Sequence, residues 1–99
     1  MSSPLAVAAA ARADGTPQPT AAFSIHARAE PGVMPRVLDL FAKRGLVPHT
    51  WHSALAGPDA GMLDIEVEVC GLAAAPDYVA DCMRRIAGVE RVAVRVAAD

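Results

Sequence analysis

The sequence predicts an α+β fold in which a four-stranded antiparallel sheet carries two helices on one face. Apolar residues alternate with polar ones over residues 23–28, 63–69 and 92–96, which is the period of half-buried strands. They recur at helical spacing over residues 33–44 and 76–86. The resulting order of strand, helix, strand, strand, helix, strand describes the ferredoxin-like βαββαβ sandwich, with strands one and three at the centre of the sheet.

Length and charge restrict the classes of protein to which the chain can belong. Its 99 residues are enough for one small core, and 9 basic against 11 acidic residues favour neither nucleic acid nor an anionic membrane as partner. No apolar run is long enough to span a bilayer, and we expect a cytoplasmic protein. Cys70 and Cys82 lack metal-type spacing, so no metal site is expected.

The chain divides into a tail and a domain. Residues 1–20 are dominated by Ala, Ser, Pro and Gly and are predicted to be a disordered N-terminal tail. Residues 21–97 carry the regular patterns and form the predicted domain. Helix one is expected to run from Val33 to about Arg44, with Gly45 as its stop.

Strand two is predicted at an edge of the sheet. Residues 46–55 are strand-like, but Pro48 cannot donate a hydrogen bond to a neighbouring strand. The loop over residues 56–61 is rich in turn residues and closes a hairpin to strand three. On the outer face of the sheet, His26 and Arg28 of strand one are expected beside Glu66 and Glu68 of strand three.

The second helix is predicted to open at Ala75-Pro76-Asp77 and to end at Gly88. Its predicted buried stripe consists of Val79, Cys82, Met83 and Ile86. Tyr78, near its start, is expected to cover the core.

Several activities found on this fold lack their residues here. The outward positions of the central strands hold no aromatic side chain on which RNA bases could stack. The first strand-to-helix turn has no Cys pair for a soft metal, and the chain contains no asparagine for acylphosphatase-like chemistry. His49 and His52 lie three residues apart on a predicted strand and point to opposite faces, which disfavours a shared metal ion. We therefore predict a protein without catalytic residues.

The most informative stretch is the turn from Ala29 to Met34. Pro31 restricts the backbone, and Gly32 allows a ligand to approach the amides at the start of helix one. Unpaired amides and the helix dipole attract a carboxylate at such a position. The alternative is that the turn is only a tight connection.

Residues 23–96 resemble an ACT domain, a small regulatory module that binds amino acids. The resemblance rests on the Pro-Gly turn followed by Val33-Met34 and Arg36-Val37, and on two further segments, Lys43-Arg44-Gly45-Leu46 and Gly88-Val89-Glu90-Arg91-Val92. Within that superfamily the chain looks most like the small regulatory subunit of acetohydroxyacid synthase, also called acetolactate synthase. Strand three, Leu63-Asp64-Ile65-Glu66-Val67-Glu68-Val69, is similar to that of the shorter form.

The resemblance implies a ligand site between two copies of the chain. It implies a homodimer formed through helix one and strand two, with the effector between the turn of one copy and strand two of the other. The residues carried over as ligand contacts are Glu30, Pro31, Gly32, Val33, Met34, Val47 and Pro48. Val47 stands where effector-binding members often have an asparagine, and it offers no hydrogen bond to a ligand.

The implied partner is the catalytic large subunit of acetohydroxyacid synthase, which would supply the thiamine diphosphate chemistry of branched-chain amino-acid biosynthesis. The chain itself is expected to be a non-enzyme without a cofactor, and the implied effector is a branched-chain amino acid. The alternative is a stand-alone interaction module that activates a partner enzyme without binding an amino acid.

Overall fold

The computed structural model describes residues 19–71 and 75–97. The predicted tail lies outside the described residues up to position 18, and Thr20, which we had assigned to the tail, begins the first strand. A short 3₁₀ turn at Pro58–Ala60 joins the second and third strands. In chain order the elements are β1 (Thr20–Arg28), α1 (Val33–Lys43), β2 (Thr50–Ala56), β3 (Met62–Cys70), α2 (Pro76–Arg84) and β4 (Val89–Ala97).

The strands form one sheet in the order β2-β3-β1-β4, and each neighbouring pair is antiparallel. The predicted ferredoxin-like fold is confirmed, with β1 and β3 central and β2 and β4 at the edges. Both helices pack on the same face of the sheet. The opposite face, which we call the open face, carries the polar half of the alternating strand patterns.

The core lies between the sheet and the two helices. The rings of Phe23 on β1 and Phe41 on α1 are tilted with centroids 6.0 Å apart, and both side chains are fully buried. Burying a side chain of this size contributes about 1.5–3 kcal/mol to folding. From α2 the buried residues are Val79, Ala80 and Met83.

The predicted stripe of α2 is therefore wrong in two members. Cys82 is only partly buried, and Ile86 follows the helix and packs at the margin of the core. Ala80 is fully buried instead, so the buried side of α2 consists of Val79, Ala80 and Met83. Tyr78 does not cover the core as expected, since it is 50 % exposed.

The start of β2 also differs from the prediction. The amide of Leu46 donates to the Phe41 carbonyl at 2.9 Å, so Leu46 belongs to the turn that closes α1 rather than to a strand. Gly45 adopts a φ of +69°, which ends the helix as expected. Pro48 lies before β2, which begins at Thr50. The edge position was predicted correctly, but Pro48 is not inside the strand.

The register between β1 and β3 corrects the expected charge pairs. His26 lies opposite Asp64, with Nδ1 2.8 Å from Oδ1, and Ser24 lies opposite Glu66. Arg28 lies opposite Met62 rather than beside a carboxylate of β3. Alternation determines which face a side chain takes but leaves open the shift of one strand along the other by steps of two.

Candidate functional site

The turn between β1 and α1 is built by its own backbone. The amide of Val33 donates to the Glu30 carbonyl at 3.1 Å, and Gly32 occupies the N-cap position with a φ of −82°. No side chain caps the helix there. The start of α1 therefore keeps the electropositive character of an uncapped helix end.

A shallow, open depression of about 220 Å³ lies between this turn and the β2–β3 hairpin. Its volume is below the range of drug-sized sites, so it suits a small metabolite. The surface is mostly apolar, and Glu30 is the one charged residue among those that line it. The lining residues are Ala29, Glu30, Pro31, Met34, Leu55 and Leu63.

Three of the residues inferred from the resemblance line this depression: Glu30, Pro31 and Met34. Gly32 lies in the turn, on the side where the Arg36 guanidinium stands over it. Val33 is fully buried in the core, so its side chain cannot contact a ligand in the depression.

The two residues inferred from strand two are not brought to the depression within one copy. Val47 is 80 % exposed, and Pro48 is half-buried, both in the segment that precedes β2. Neither lines the depression. Their contact with a ligand remains a prediction that depends on a second copy of the chain.

Sequence reasoning missed three lining residues, Ala29, Leu55 and Leu63. Leu55 lies opposite Leu63 across the β2–β3 ladder, and its side chain is 62 % exposed. The sequence could have identified Leu63, because the alternation of β3 assigns it to the face that carries the helices. The hairpin length then places Leu55 on the same face.

Two charged side chains of the turn lie beside the α2–β4 turn. Glu30 Oε1 lies 3.0 Å from the position of a Cβ added to Gly88, and its Oε2 lies 3.5 Å from Arg28 Nε. Arg36 Nη1 donates to the carbonyl of the neighbouring Ala87 at 3.4 Å. Glu30 and Arg36 therefore place opposite charges beside the α2–β4 turn.

Both neighbouring loops hold the rim of the depression in place. The amide of Arg28 donates to the Gly88 carbonyl at 2.8 Å, and the amide of Ala29 donates to the Gly61 carbonyl at 3.0 Å. One bond reaches the α2–β4 turn and the other reaches the hairpin. The turn is thus bonded to both segments that flank it in space.

A second polar cluster joins the end of α1 to α2, away from the depression. The Arg44 guanidinium carbon lies 4.8 Å from the centre of the Tyr78 ring, and Nη2 lies 3.3 Å from Cys82 Sγ. Tyr78, and after it Cys82, raise the pKa of Arg44 above its ordinary value. This cluster ties the two helices together.

The two histidines considered for a metal occupy different settings. His49 Nε2 lies 3.4 Å from Glu68 Oε1, while His52 is exposed opposite Glu66 on the open face. Among the described residues, no group of three His, Cys, Asp or Glu side chains is arranged to hold a metal ion. No helix in residues 19–71 and 75–97 is long and apolar enough to cross a membrane.

Solved structures share this architecture at low sequence identity. The ACT domain of GTP pyrophosphokinase from Chlorobium tepidum superposes with a TM-score of 0.64 at 14 % identity, covering 79 % of this chain and 99 % of that one. The C-terminal domain of the MgtC protein from Mycobacterium tuberculosis gives 0.63 at 14 %, covering 81 % and 87 %. The regulatory subunit of aspartate kinase from Thermus thermophilus gives 0.60 at 18 %, covering 79 % and 50 %.

No curated protein matches the chain in sequence. The family model described as "ACT-like domain" matches residues 15–99. That match spans all six helices and strands of the described fold and includes the turn and the depression. The chain therefore belongs to the ACT-like domain family.

Proposed function

We propose that this chain is a non-catalytic regulatory protein that binds a small aliphatic amino acid in the depression and passes the signal to a partner enzyme. The observation that carries the proposal is the composition of the depression, in which an apolar surface with one charged residue, Glu30, lies beside an uncapped helix start. An amino acid offers a matching group for each part.

Each part of the ligand has a counterpart in the site. An aliphatic side chain would lie on Met34, Leu55 and Leu63, because contact with them removes apolar surface from water. The α-ammonium group would pair with Glu30 once this exposed side chain turns from Arg28 toward the ligand. The α-carboxylate would lie toward the amides of the turn, where the helix dipole favours negative charge.

The specific partner we propose is the large subunit of acetohydroxyacid synthase, with a branched-chain amino acid as effector. Support comes from the motifs around the Pro-Gly turn and β3 that resemble its small subunit. The aspartate kinase regulatory subunit shares the fold and supports the wider class of regulatory protein, with a different enzyme as the competing partner.

Two copies would pair side by side through α1 and β2. The side chains of Leu38 and Leu55, on these elements, are 45 % and 62 % exposed, and covering them would favour association. β2 is also an edge strand with unpaired backbone groups. This pairing would bring the Val47–Pro48 segment of one copy toward the turn of the other.

One observation favours a module that pairs with an enzyme and senses nothing. The side chain of Val47, on the exposed segment before β2, has no polar atom with which to hold a ligand's ammonium or carboxylate group. Such a protein would keep the fold and the dimer without a ligand.

The test is thermal unfolding of the purified chain with each of the twenty amino acids at two protein concentrations. A ligand at 100 times its dissociation constant stabilises by about 2.7 kcal/mol, which raises the melting temperature of so small a domain by roughly 10 °C or more. A rise with valine, leucine or isoleucine supports the sensor. No rise with any amino acid, together with concentration-dependent melting, favours the non-sensing module.

A matched pair of variants locates the binding site. Leu55→Arg should abolish the ligand-induced rise, because it places a charged side chain in the depression. Val96→Arg is the control, since Val96 is similarly exposed at 55 % but lies near the end of β4. An equal ligand response in both variants would move the site elsewhere. Activation of purified acetohydroxyacid synthase large subunit by the wild-type chain would identify the partner.

A further inference from the structure

The open face of the sheet separates its charges by strand. β3 presents three carboxylates, Asp64, Glu66 and Glu68, while β4 presents two guanidiniums, Arg91 and Arg95. β1 lies between the two strands. One side of the face is therefore acidic and the other basic, with β1 as the boundary.

The strand register aligns these charges in rows across the sheet. Ala22 of β1 lies opposite both Arg95 of β4 and Glu68 of β3. His26 of β1 likewise lies opposite both Arg91 and Asp64. Each of these two rows thus carries a guanidinium and a carboxylate at equal distances from β1.

The two guanidiniums are available for a partner. Within residues 19–71 and 75–97, the side chains of Arg91 and Arg95 have no hydrogen bond or ion pair, and both residues are exposed. The carboxylates contact neutral or weakly basic groups: Asp64 contacts His26, Glu66 accepts from Ser24, and Glu68 contacts His49. Their side chains remain accessible, at 41 % for Asp64 and 42 % for Glu68.

We propose that a second copy of this chain docks on the open face, related by a two-fold axis that runs along β1. Such an axis leaves each residue at the same position along the strand direction and exchanges the acidic and basic sides of the face. Arg95 of one copy then stands over Glu68 of the other, and Arg91 stands over Asp64. Symmetry repeats both pairs, so four ion pairs form between two stacked sheets.

The side chains at the centre permit this approach. Apart from His26, whose ring is held against Asp64, they are small: Ala22 and Ser24 of β1 and Ala93 of β4 lie on the open face. They leave room for the longer charged side chains of the opposing copy. Stacked sheets stand about 10 Å apart, which extended arginine and glutamate side chains can bridge together.

The charge pattern favours this occupant over other partners. A polyanion such as nucleic acid would meet the carboxylates of β3, and a polycation would meet Arg91 and Arg95. A partner must carry both positive and negative charges, in the reversed order across its surface. A second copy of the same face, related by a two-fold axis, has that order. The contact is separate from the side-by-side pairing through α1 and β2, so both can form in one assembly.

The experiment measures molar mass by light scattering and sedimentation over a range of protein concentrations in 50 mM salt. One variant carries Arg91→Glu with Arg95→Glu, and a second carries Asp64→Lys with Glu68→Lys. Each variant alone should show half the mass of the wild type, or a dissociation constant about tenfold or more weaker, because like charges then face each other.

Mixing the two charge variants provides the decisive test. In a mixed pair every opposing position again joins opposite charges, so a 1:1 mixture should recover the mass of the wild type. Recovery also shows that both variants are folded. Salt at 1 M should dissociate the wild-type contact, since screening then acts within about 3 Å.

Lys43→Glu with Arg85→Glu is the matched control. It changes the net charge by the same amount as the β4 variant but lies at the C-terminal ends of the two helices, away from the open face, and its mass should equal that of the wild type. The proposal would be overturned if the wild type and both charge variants had equal mass at every concentration, whether or not the side-by-side dimer forms. A mixture that fails to recover mass would do the same.

Discussion

Gly88 and Val33 lie so close that a Cβ added to Gly88 would stand 2.8 Å from Cγ2 of Val33. The same Cβ would lie 3.0 Å from Oε1 of Glu30. The α2–β4 turn therefore packs directly against the turn that forms the candidate site. Close contact of backbone with the start of α1 is possible because position 88 has no side chain.

Gly88→Ala should destabilise the fold through two effects. Its φ of +96° disfavours an L side chain, and the new methyl group would push against Val33. Gly45→Ala is the control, since its φ is +69° but nothing lies within 4 Å of its added Cβ. We expect a loss of about 1–2 kcal/mol for Gly45→Ala and about 1–3 kcal/mol more for Gly88→Ala, measured by urea unfolding. Equal losses would show that the contact with Val33 is unimportant.

Gly32→Asp should stabilise the protein rather than damage it. A Cβ at Gly32 points to the Arg36 guanidinium, with Nη2 at 2.9 Å, and this flexible side chain can shift to pair with a carboxylate. Position 32 is also the N-cap of α1, where negative charge is favoured. We expect Gly32→Asp to exceed Gly32→Asn in unfolding free energy by about 0.3–1 kcal/mol at low salt.

The asparagine variant is the control because it has the same shape without the charge. Its difference from Gly32→Asp should shrink in 1 M salt, as screening weakens an exposed pair. A difference of opposite sign would mean that Arg36 does not stand over position 32 in solution.

Phe41→Ala should remove the largest contribution of α1 to the core. The side chain is 1 % exposed and packs on Phe23, so its loss leaves a cavity as well as removing apolar contact. We expect a cost of about 3–5 kcal/mol, seen as a lower urea midpoint. Leu38→Ala, on the same helix but 45 % exposed, should cost far less; comparable costs would contradict the packing described here.

Arg84→Ala should loosen the junction of α2 with β4. Arg84 Nη2 donates to the Val92 carbonyl at 2.8 Å, and Nη1 pairs with Asp81. Loss of the bond to β4 should lower the unfolding free energy by about 0.5–1.5 kcal/mol. Arg85→Ala removes the same charge from the next residue and should change stability by less than about 0.5 kcal/mol.

The fold could be predicted because its strands and helices carry clear periods. Leu63, Ile65, Val67 and Val69 alternate without interruption on β3, and all four are buried on one face. The strand register and the strand ends were harder to predict. The pairing of His26 with Asp64 depends on the length of distant loops. Gly45 indicated the end of α1, but the strand-like residues after it hid that Leu46 belongs to this helix-ending turn and not to β2.

The candidate site was predictable only where it is local in sequence. Glu30, Pro31 and Met34 belong to one turn whose Pro-Gly pair is visible in the chain. Leu55 comes from the hairpin and meets the turn through the tertiary fold. Adjacent residues of a helix start point in different directions, and the side chain of Val33 points into the core, so only its backbone could meet a ligand.

The two backbone bonds that hold Arg28 and Ala29 also affect how fast a ligand could bind. Because the turn is anchored to Gly88 on one side and Gly61 on the other, its shape is set before any ligand arrives. Binding would then require little ordering of the chain, so less conformational entropy is lost on association. The rate of capture would be governed by diffusional encounter rather than by closure of a loop.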